Sequence, residues 1–247
     1  MEQEKLFLAK ITDDIRRAVE GNYTVTTWFL TPEEQTLARE CAHGKVQVFE
    51  SGGYVEAERR KLAFCPAYVE SAADVAFDIG VVRVEAKQER LGHRNVMGAV
   101  LSLGIRRETV GDIALDEKGA WVFCEETMAE YICRNLDRIG RVPVTCETVL
   151  PEQVKIPPRM FEQKEIGIAS LRLDALVAAL LHQSRGRAAE LICAGDVSLN
   201  HRETKDSSQK VKEGDVLSVR RYGKFVIACV LGQTKKGRQK VLVKQYR

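Results

Sequence analysis

Apolar residues recur along this chain with two periods, and the places where the period changes divide it into segments. Leu173, Leu176, Val177, Leu180 and Leu181 fall at i, i+3, i+4, i+7 and i+8, which is one stripe of a helix, with Ser170 as its candidate cap. A second helix is predicted from Ser184 as N-cap, with Ala188, Leu191 and Ile192 facing inward. It should stop at Gly195, because glycine takes the left-handed conformation after a helix most readily. The period then falls to two. Val197 and Leu199 alternate, a polar loop runs from Asn200 to Gln209, Glu213-Gly214-Asp215 turns, and Val216, Leu217 and Val219 return. Val226 to Leu231 and Val241 to Val243 flank Lys235-Lys236-Gly237-Arg238, a hairpin with a cationic tip.

Earlier in the chain, residues 2 to 20 suit an amphipathic helix. Thr31-Pro32-Glu33-Glu34 then reads as a helix start: a capping residue, proline at the first position, and carboxylates near the positive end. His43 and Gly44 close that helix, a strand through Val46, Val48 and Phe49 ends at Gly52-Gly53, and a second strand covers Leu62 to Phe64, which makes residues 1–75 a small α/β unit. Gly52-Gly53 lacks the flanks of a phosphate loop and reads as a turn. Arg59, Arg60 and Lys61 read as a solvated strand edge.

From residue 76 the predicted order is strand (76–86), helix (95–103), strands (112–115 and 120–124), helix (127–136) and strand (142–147). Asp116-Glu117-Lys118-Gly119 forms a hairpin turn, and Gly104 and Gly140 serve as stops just past the two helices. That order predicts an RRM-like, ferredoxin-like βαββαβ domain over residues 76–150. RRM sheets stack bases on central aromatics, and Trp121 and Phe123 share one face of the third strand. The usual octamer is not reproduced, because Ala120 follows Lys118-Gly119 where an aromatic is expected. Trp121 and Phe123 are therefore expected in the core under the helices rather than on bases. Pro151, Pro157 and Pro158 rule out a continuous helix, which makes residues 151–166 a hinge before a C-terminal domain at 167–247. The fold class is α+β.

Charge sharpens this division. The chain carries a net +3, but residues 167–247 hold 16 Lys/Arg against 7 Asp/Glu, leaving 22 against 28 in the first 166. A polyanion meets the local +9 rather than the average. Arg172, Arg185 and Arg187 fall in first helical turns, where the macrodipole is already positive and each cation costs about 0.3 to 1 kcal/mol. Cations placed where anions are favoured point to an external anion, and guanidinium forks beside a helix N-terminus suit phosphate. Neutralising about four to six phosphates would make log K fall with log salt at a slope on the order of −3 to −5.

Several runs carry a resemblance: Arg172-Leu173-Asp174, Ser184-Arg185, Ala188-Ala189, Leu191-Ile192, the stretch from Gly195 to Asn200 and that from Lys212 to Arg220. Over about sixty residues they resemble the S4 RNA-binding domain. The resemblance implies that Arg172, Ser184, Arg185, Arg187, Asn200, Lys205, Lys210, Lys212, Arg220, Arg221 and Lys224 face RNA. His93, Arg94, Arg106 and Arg107 bracket a helix and form a candidate second contact. Further upstream, Gly52-Gly53-Tyr54, Ala57-Glu58-Arg59-Arg60, His93-Arg94, Gly98 to Leu101, Leu103 to Glu108, Gly111-Asp112-Ile113 and Ile139 to Val142 resemble the YlmH-type bacterial RNA-binding proteins, as does Arg220 to Phe225. The first fifty residues match only loosely. Membership implies a non-catalytic, monomeric protein docking on ribosomal RNA of the large subunit and on tRNA, in quality control of stalled nascent chains. Older labels for the family mention cell division and photosystem assembly.

Enzymes with an S4 appendage are the competing class. Pseudouridine synthases carry R-L-D before T-x-G, but here Arg172-Leu173-Asp174 runs on into a helix. No Gly-rich turn follows any strand as a nucleotide-binding unit needs, and the synthetase signatures H-x-G-H and K-M-S-K-S are absent. His93 with Asp112 or Glu108 is the only drawable base pairing, and neither Ser102 nor Cys124 has an activating context. The seven cysteines form no CxxC and no zinc spacing, so they read as reduced core residues and no metal is expected; the non-catalytic reading likewise expects no cofactor and no small-molecule substrate. The start lacks a signal peptide's charged and apolar regions and no apolar run approaches about 18 residues, so the expected address is cytoplasmic, with no membrane contact.

Overall fold

Thr31 shows how closely local chemistry sets the first elements in the computed structural model, which describes residues 2–86, 90–150, 153–156, 161–233 and 237–246. Helix α1 (Glu2–Gly21) buries Ile11, Ile15 and Ala18 on one stripe, and β1 (Val25–Thr26) follows. At Thr31 the hydroxyl accepts from the Glu34 amide and the Glu34 carboxylate accepts from the Thr31 amide, the reciprocal cap that starts α2 (Pro32–Ala42). Strands β2 (Gln47–Ser51) and β3 (Lys61–Cys65) complete an antiparallel sheet of order β1-β3-β2. β3 is buried along its whole length, Lys61 included, whose ammonium donates to Glu125 at 2.8 Å. Arg59, Arg60 and Lys61 are therefore not a solvated edge. Arg59 donates to the carbonyls of Val110 and Phe29, and Arg60 to the Glu50 carboxylate.

The next segment runs β4 (Ile79–Ala86), α3 (His93–Ser102), β5 (Val110–Leu115), β6 (Gly119–Glu125), α4 (Glu126–Asn135), β7 (Arg138–Ile139) and β8 (Val142–Val149). Its antiparallel sheet has the order β5-β6-β4-β8-β7. Val82, Val84, Ala120, Val122 and Cys124 face the helices, against Val96, Val100, Ala129 and Ile132. Gly119 permits the β4 contact, since a Cβ there would sit 1.9 Å from the Val84 carbonyl oxygen. Gly140 does not stop α4, which ends at Asn135. With φ 61° it makes the turn between β7 and β8.

Trp121 and Phe123 are buried, but not under the helices as the pattern predicted. They alternate onto the opposite sheet face with Val81, where Tyr54, Val154 and Ile156 cover them. Tyr54 stacks on Phe123 at 4.9 Å, and the Arg83 guanidinium lies 4.6 Å from the Trp121 ring. A Cβ on Gly53 would press against Phe123 at 2.6 Å, so this glycine serves packing. The period gives the face of a strand but not the layer that covers it.

By contact density the chain forms two units, Met1–Pro157 and Pro158–Arg247. The second opens with β9 (Phe161–Ile168), so residues 161–166 are strand and not hinge. Then come α5 (Leu173–Leu180), α6 (Arg185–Cys193), β10 (Val197–Leu199), β11 (Arg202–Glu203), β12 (Val216–Val219), β13 (Gly223–Gln233) and β14 (Gln239–Tyr246). The sheet order is β11-β10-β12-β13-β14-β9. β9 pairs with β14 from Phe161↔Tyr246 to Ile168↔Gln239. Leu173, Leu176, Val177, Ala188 and Ile192 of the helices pack on Leu217, Val219, Phe225, Ile227, Val241 and Val243, each large side chain contributing about 1.5 to 3 kcal/mol. Pro151, Pro157, Pro158, Lys235 and Lys236, expected in the hinge and the hairpin tip, lie outside the described residues.

Candidate nucleic-acid interface

Arg172, rather than Ser170, is the N-cap of α5, and its side chain caps no amide. The first amides of this helix are already satisfied: Leu173 donates to the Gln209 carbonyl, Asp174 to the Ser207 carbonyl, and Ala175 to the Asp174 carboxylate. The start of α5 therefore offers no open amides to an external phosphate, contrary to the sequence expectation. Those same bonds dock the polar loop, so Lys210 bridges antiparallel to Arg172, and Lys205 lies exposed on that loop.

The anion that Arg172 and Arg185 call for is partly internal. Asp174, its side chain only 9 % exposed, accepts from Arg185 at 2.5 Å and from Arg172 at 3.2 and 3.3 Å. Burial pushes this carboxyl up, but the hydrogen bonds from Arg185, Arg172 and the Ala175 amide prevail and hold it below the usual carboxylate range. One buried carboxylate thus fixes two guanidinium groups that remain 40 % and 52 % exposed. Two cations against one anion leave a net positive, oriented pair. Asp174 was missed as an organiser. The signal was a carboxylate inside an otherwise apolar turn, two residues after an arginine.

Helix α6 differs from α5. Ser184 caps it, its hydroxyl accepting from the Arg187 amide at 3.2 Å. Arg185 is its first residue and Arg187 its third, and both are exposed. Arg187 pairs with Glu190 at 2.6 Å, which raises its guanidinium above the usual value, and lies within electrostatic reach of Asp196. Asp196 in turn takes Arg220 at 3.6 Å, bringing Arg220 to the same flank. Two linked sets of cations thus meet at α6: Arg172 and Arg185 through Asp174, with Lys210 bridged to Arg172, and Arg187 and Arg220 through Asp196.

The remaining candidates are dispersed. The Asn200 amide donates to Asp215 at 2.9 Å and accepts from the Val216 amide at 2.9 Å, so this exposed residue also latches the β-turn region. The Lys212 amide joins the same latch through Asp215, leaving the exposed ammonium outside. Arg221 takes φ 70° in the turn before β13, and the Lys224 ammonium lies 5.2 Å from the Tyr246 ring. On α3, His93 and Arg94 are exposed at the first turn. Arg106 is exposed and pairs with Glu108 at 3.4 Å. Arg107 is not a surface cation: it donates to the carbonyls of Val110 and Gly111, and burial, reinforced by Arg59, pushes it down to about 10.

Of the residues considered as catalytic, Cys124 is buried, and burial pushes its thiol up to about 12, away from nucleophilic use at neutral pH. Asp112 accepts from Tyr54, from the Glu58 amide at 2.6 Å and from the Arg59 amide, which makes it a structural hub. Among the described residues, no group of three His, Cys, Asp or Glu is placed to hold a metal ion, and no helix is long and apolar enough to cross a membrane.

Three family models match in succession: the N-terminal region of YlmH over residues 3–69, a putative RNA-binding domain in YlmH over 71–153, and the S4 domain over 171–217. A curated relative from Bacillus subtilis (strain 168), "Ribosome-associated protein quality control protein P2", is 31 % identical over 229 residues, spanning 92 % of this chain and 89 % of its own. A solved structure, "Cell division protein ylmH from Streptococcus pneumoniae", shares the fold at 23 % identity with a TM-score of 0.55, covering 63 % of this chain and 96 % of that one. The matches run along the chain in one order and nearly end to end, so this protein belongs to the YlmH family of S4-domain RNA-binding proteins.

Proposed function

We propose that this protein binds structured RNA along α6, and that the RNA is ribosomal RNA of the large subunit together with tRNA, during quality control of stalled nascent chains. The single observation that carries the reading is the fixed pair Arg172/Arg185 on Asp174, flanked by Arg187, Lys205, Lys210 and Arg220. Guanidinium groups held in place before RNA arrives lose less freedom on binding. Phosphate contacts then supply most of the affinity, and the shape of the folded RNA most of the selectivity. The ribosomal setting is supported by the name of the Bacillus subtilis relative.

In this reading the protein is monomeric, cytoplasmic and non-catalytic. Asp174 of the Arg-Leu-Asp tripeptide is held by two guanidinium groups and a backbone amide instead of facing a substrate. The middle segment is read as a ferredoxin-like, RRM-like sandwich, supported by its order of elements and sheet order. It does not stack bases on Trp121 and Phe123, which are covered, so a second contact rests on His93, Arg94 and Arg106. Residues 1–75, 76–150 and the C-terminal unit from β9 onward are read as the functional domains.

Co-sedimentation with large subunits at near-physiological salt is the test. The wild-type chain should pellet with the particles, and the double variant Arg187→Glu/Lys205→Glu, which touches no buried carboxylate, should not. Unchanged pelleting of that variant removes α6 from the interface.

A further inference from the structure

A groove of about 450 Å³ opens beside the basic strip, between the end of β9, one face of α5 and the turn into α6. Ala175, Ala178 and Ala179 form its α5 wall, and their short side chains are why space remains there. Ile166 and Ile168 add further apolar lining from the strand. Arg185, anchored from beneath by Asp174, and Arg238 also line it, and the Glu165 carboxylate at its edge is engaged by Lys240 at 2.5 Å. Gln183, on the connecting turn, donates weakly to the Tyr222 hydroxyl at 3.3 Å, and its side-chain oxygen is buried with no hydrogen-bond partner among the described residues. Folded proteins leave few buried acceptors unsatisfied, and those that persist call for an explanation.

We propose that this groove receives a single unpaired nucleobase of the bound RNA. Three features of the lining match three parts of a nucleotide. The apolar wall suits the face of an aromatic ring, the Gln183 oxygen suits a ring N–H or exocyclic amine, and the two arginines suit the adjoining phosphate. The volume lies within the range of pockets that enclose small ligands. Arg185 belongs both to the groove and to the Asp174 cluster, so a stem held on α6 places a neighbouring extruded base at the opening. The inference rests on the RNA-binding reading above and adds to it a preference for RNA that carries an unstacked nucleotide.

The test measures binding of the full chain to two labelled RNA hairpins by fluorescence anisotropy, one fully paired and one with a single bulged adenosine in the same stem. The bulged hairpin should bind about tenfold tighter, the scale of one sequestered base. Ala179→Leu fills the groove with a good helix former and should erase that preference while leaving affinity for the paired hairpin unchanged. Gln183→Leu, which removes the acceptor at similar size, should do the same and serves if Ala179→Leu fails to fold. Equal binding of both hairpins by the wild-type chain, or a preference that survives Gln183→Leu, overturns the groove and leaves the α6 interface standing. Binding of neither hairpin overturns both.

Discussion

Arg83 and Arg185 are both paired with a carboxylate, yet the first is buried and the second about half exposed. In the first unit Arg83 is 6 % exposed, bidentate on Asp116 at 2.7 and 3.0 Å and laid over Trp121. Arg59 and Arg107 likewise end on backbone carbonyls. In the second unit the carboxylate is the buried partner and the guanidinium groups are outside: Asp174 is interior while Arg172 and Arg185 reach solvent. An arginine whose anion lies beneath it keeps its outer N–H groups for a ligand. One that is itself beneath the surface acts as a staple.

The sharpest way to break the comparison is to remove one member of each kind. Arg83→Ala removes the two guanidinium hydrogen bonds to Asp116, leaving those from Trp121 and the Lys118 and Gly119 amides, and uncovers Trp121, and should destabilise the first unit by about 3 kcal/mol in urea unfolding. RNA binding by the folded protein should be unaffected. A loss below about 1 kcal/mol would contradict the staple role.

Asp174→Ala should cost somewhat less, about 2 to 3 kcal/mol, since its guanidinium partners can turn to water. It should also loosen Arg172 and Arg185, so RNA affinity should fall at constant net salt slope. The Arg187→Glu/Lys205→Glu variant should invert this pattern: affinity down by more than about tenfold with the salt slope flattened, and the melting temperature unchanged.

Acid should separate the two ion pairs from neutral packing. Asp174 and Asp116 are both held below their ordinary value of 3.8, against burial, by hydrogen bonds from arginine and backbone amides. Each therefore adds stability that is fully present above the unfolded carboxyl range, about pH 5, and is lost as pH falls through the lower folded value. Urea midpoints compared between about pH 5.5 and pH 3 should drop less in Asp174→Asn than in the wild type; equal drops would remove Asp174 from the acid response. The smallest effect belongs to Ser184→Ala, which should lower stability by about 1 kcal/mol through loss of the α6 cap.

Much of the architecture was legible one segment at a time. The stripe at Leu173, Leu176 and Val177, the Ser184 cap, the stop at Gly195 and the Thr31 box all depend on neighbours within four residues, and each stands where the pattern put it. The charge division was legible as well. β9 escaped notice because an edge strand with few apolar residues carries little periodic signal, and its partner β14 lies at the far end of the chain. Trp121 and Phe123 could be assigned a shared face, but not what lies on it.

By itself, then, the sequence determined most of the local elements, the caps at Thr31 and Ser184, the excess of positive charge after residue 166 and the family. These follow from short-range hydrogen bonding, side-chain period and composition. Only the tertiary structure decided which arginines remain at the surface, that Asp174 holds two of them, and that the α5 amides are closed by the loop at Ser207 and Gln209. Those outcomes depend on which distant groups burial brings together, and a charge gives no sign in sequence of where its counter-charge will come to rest.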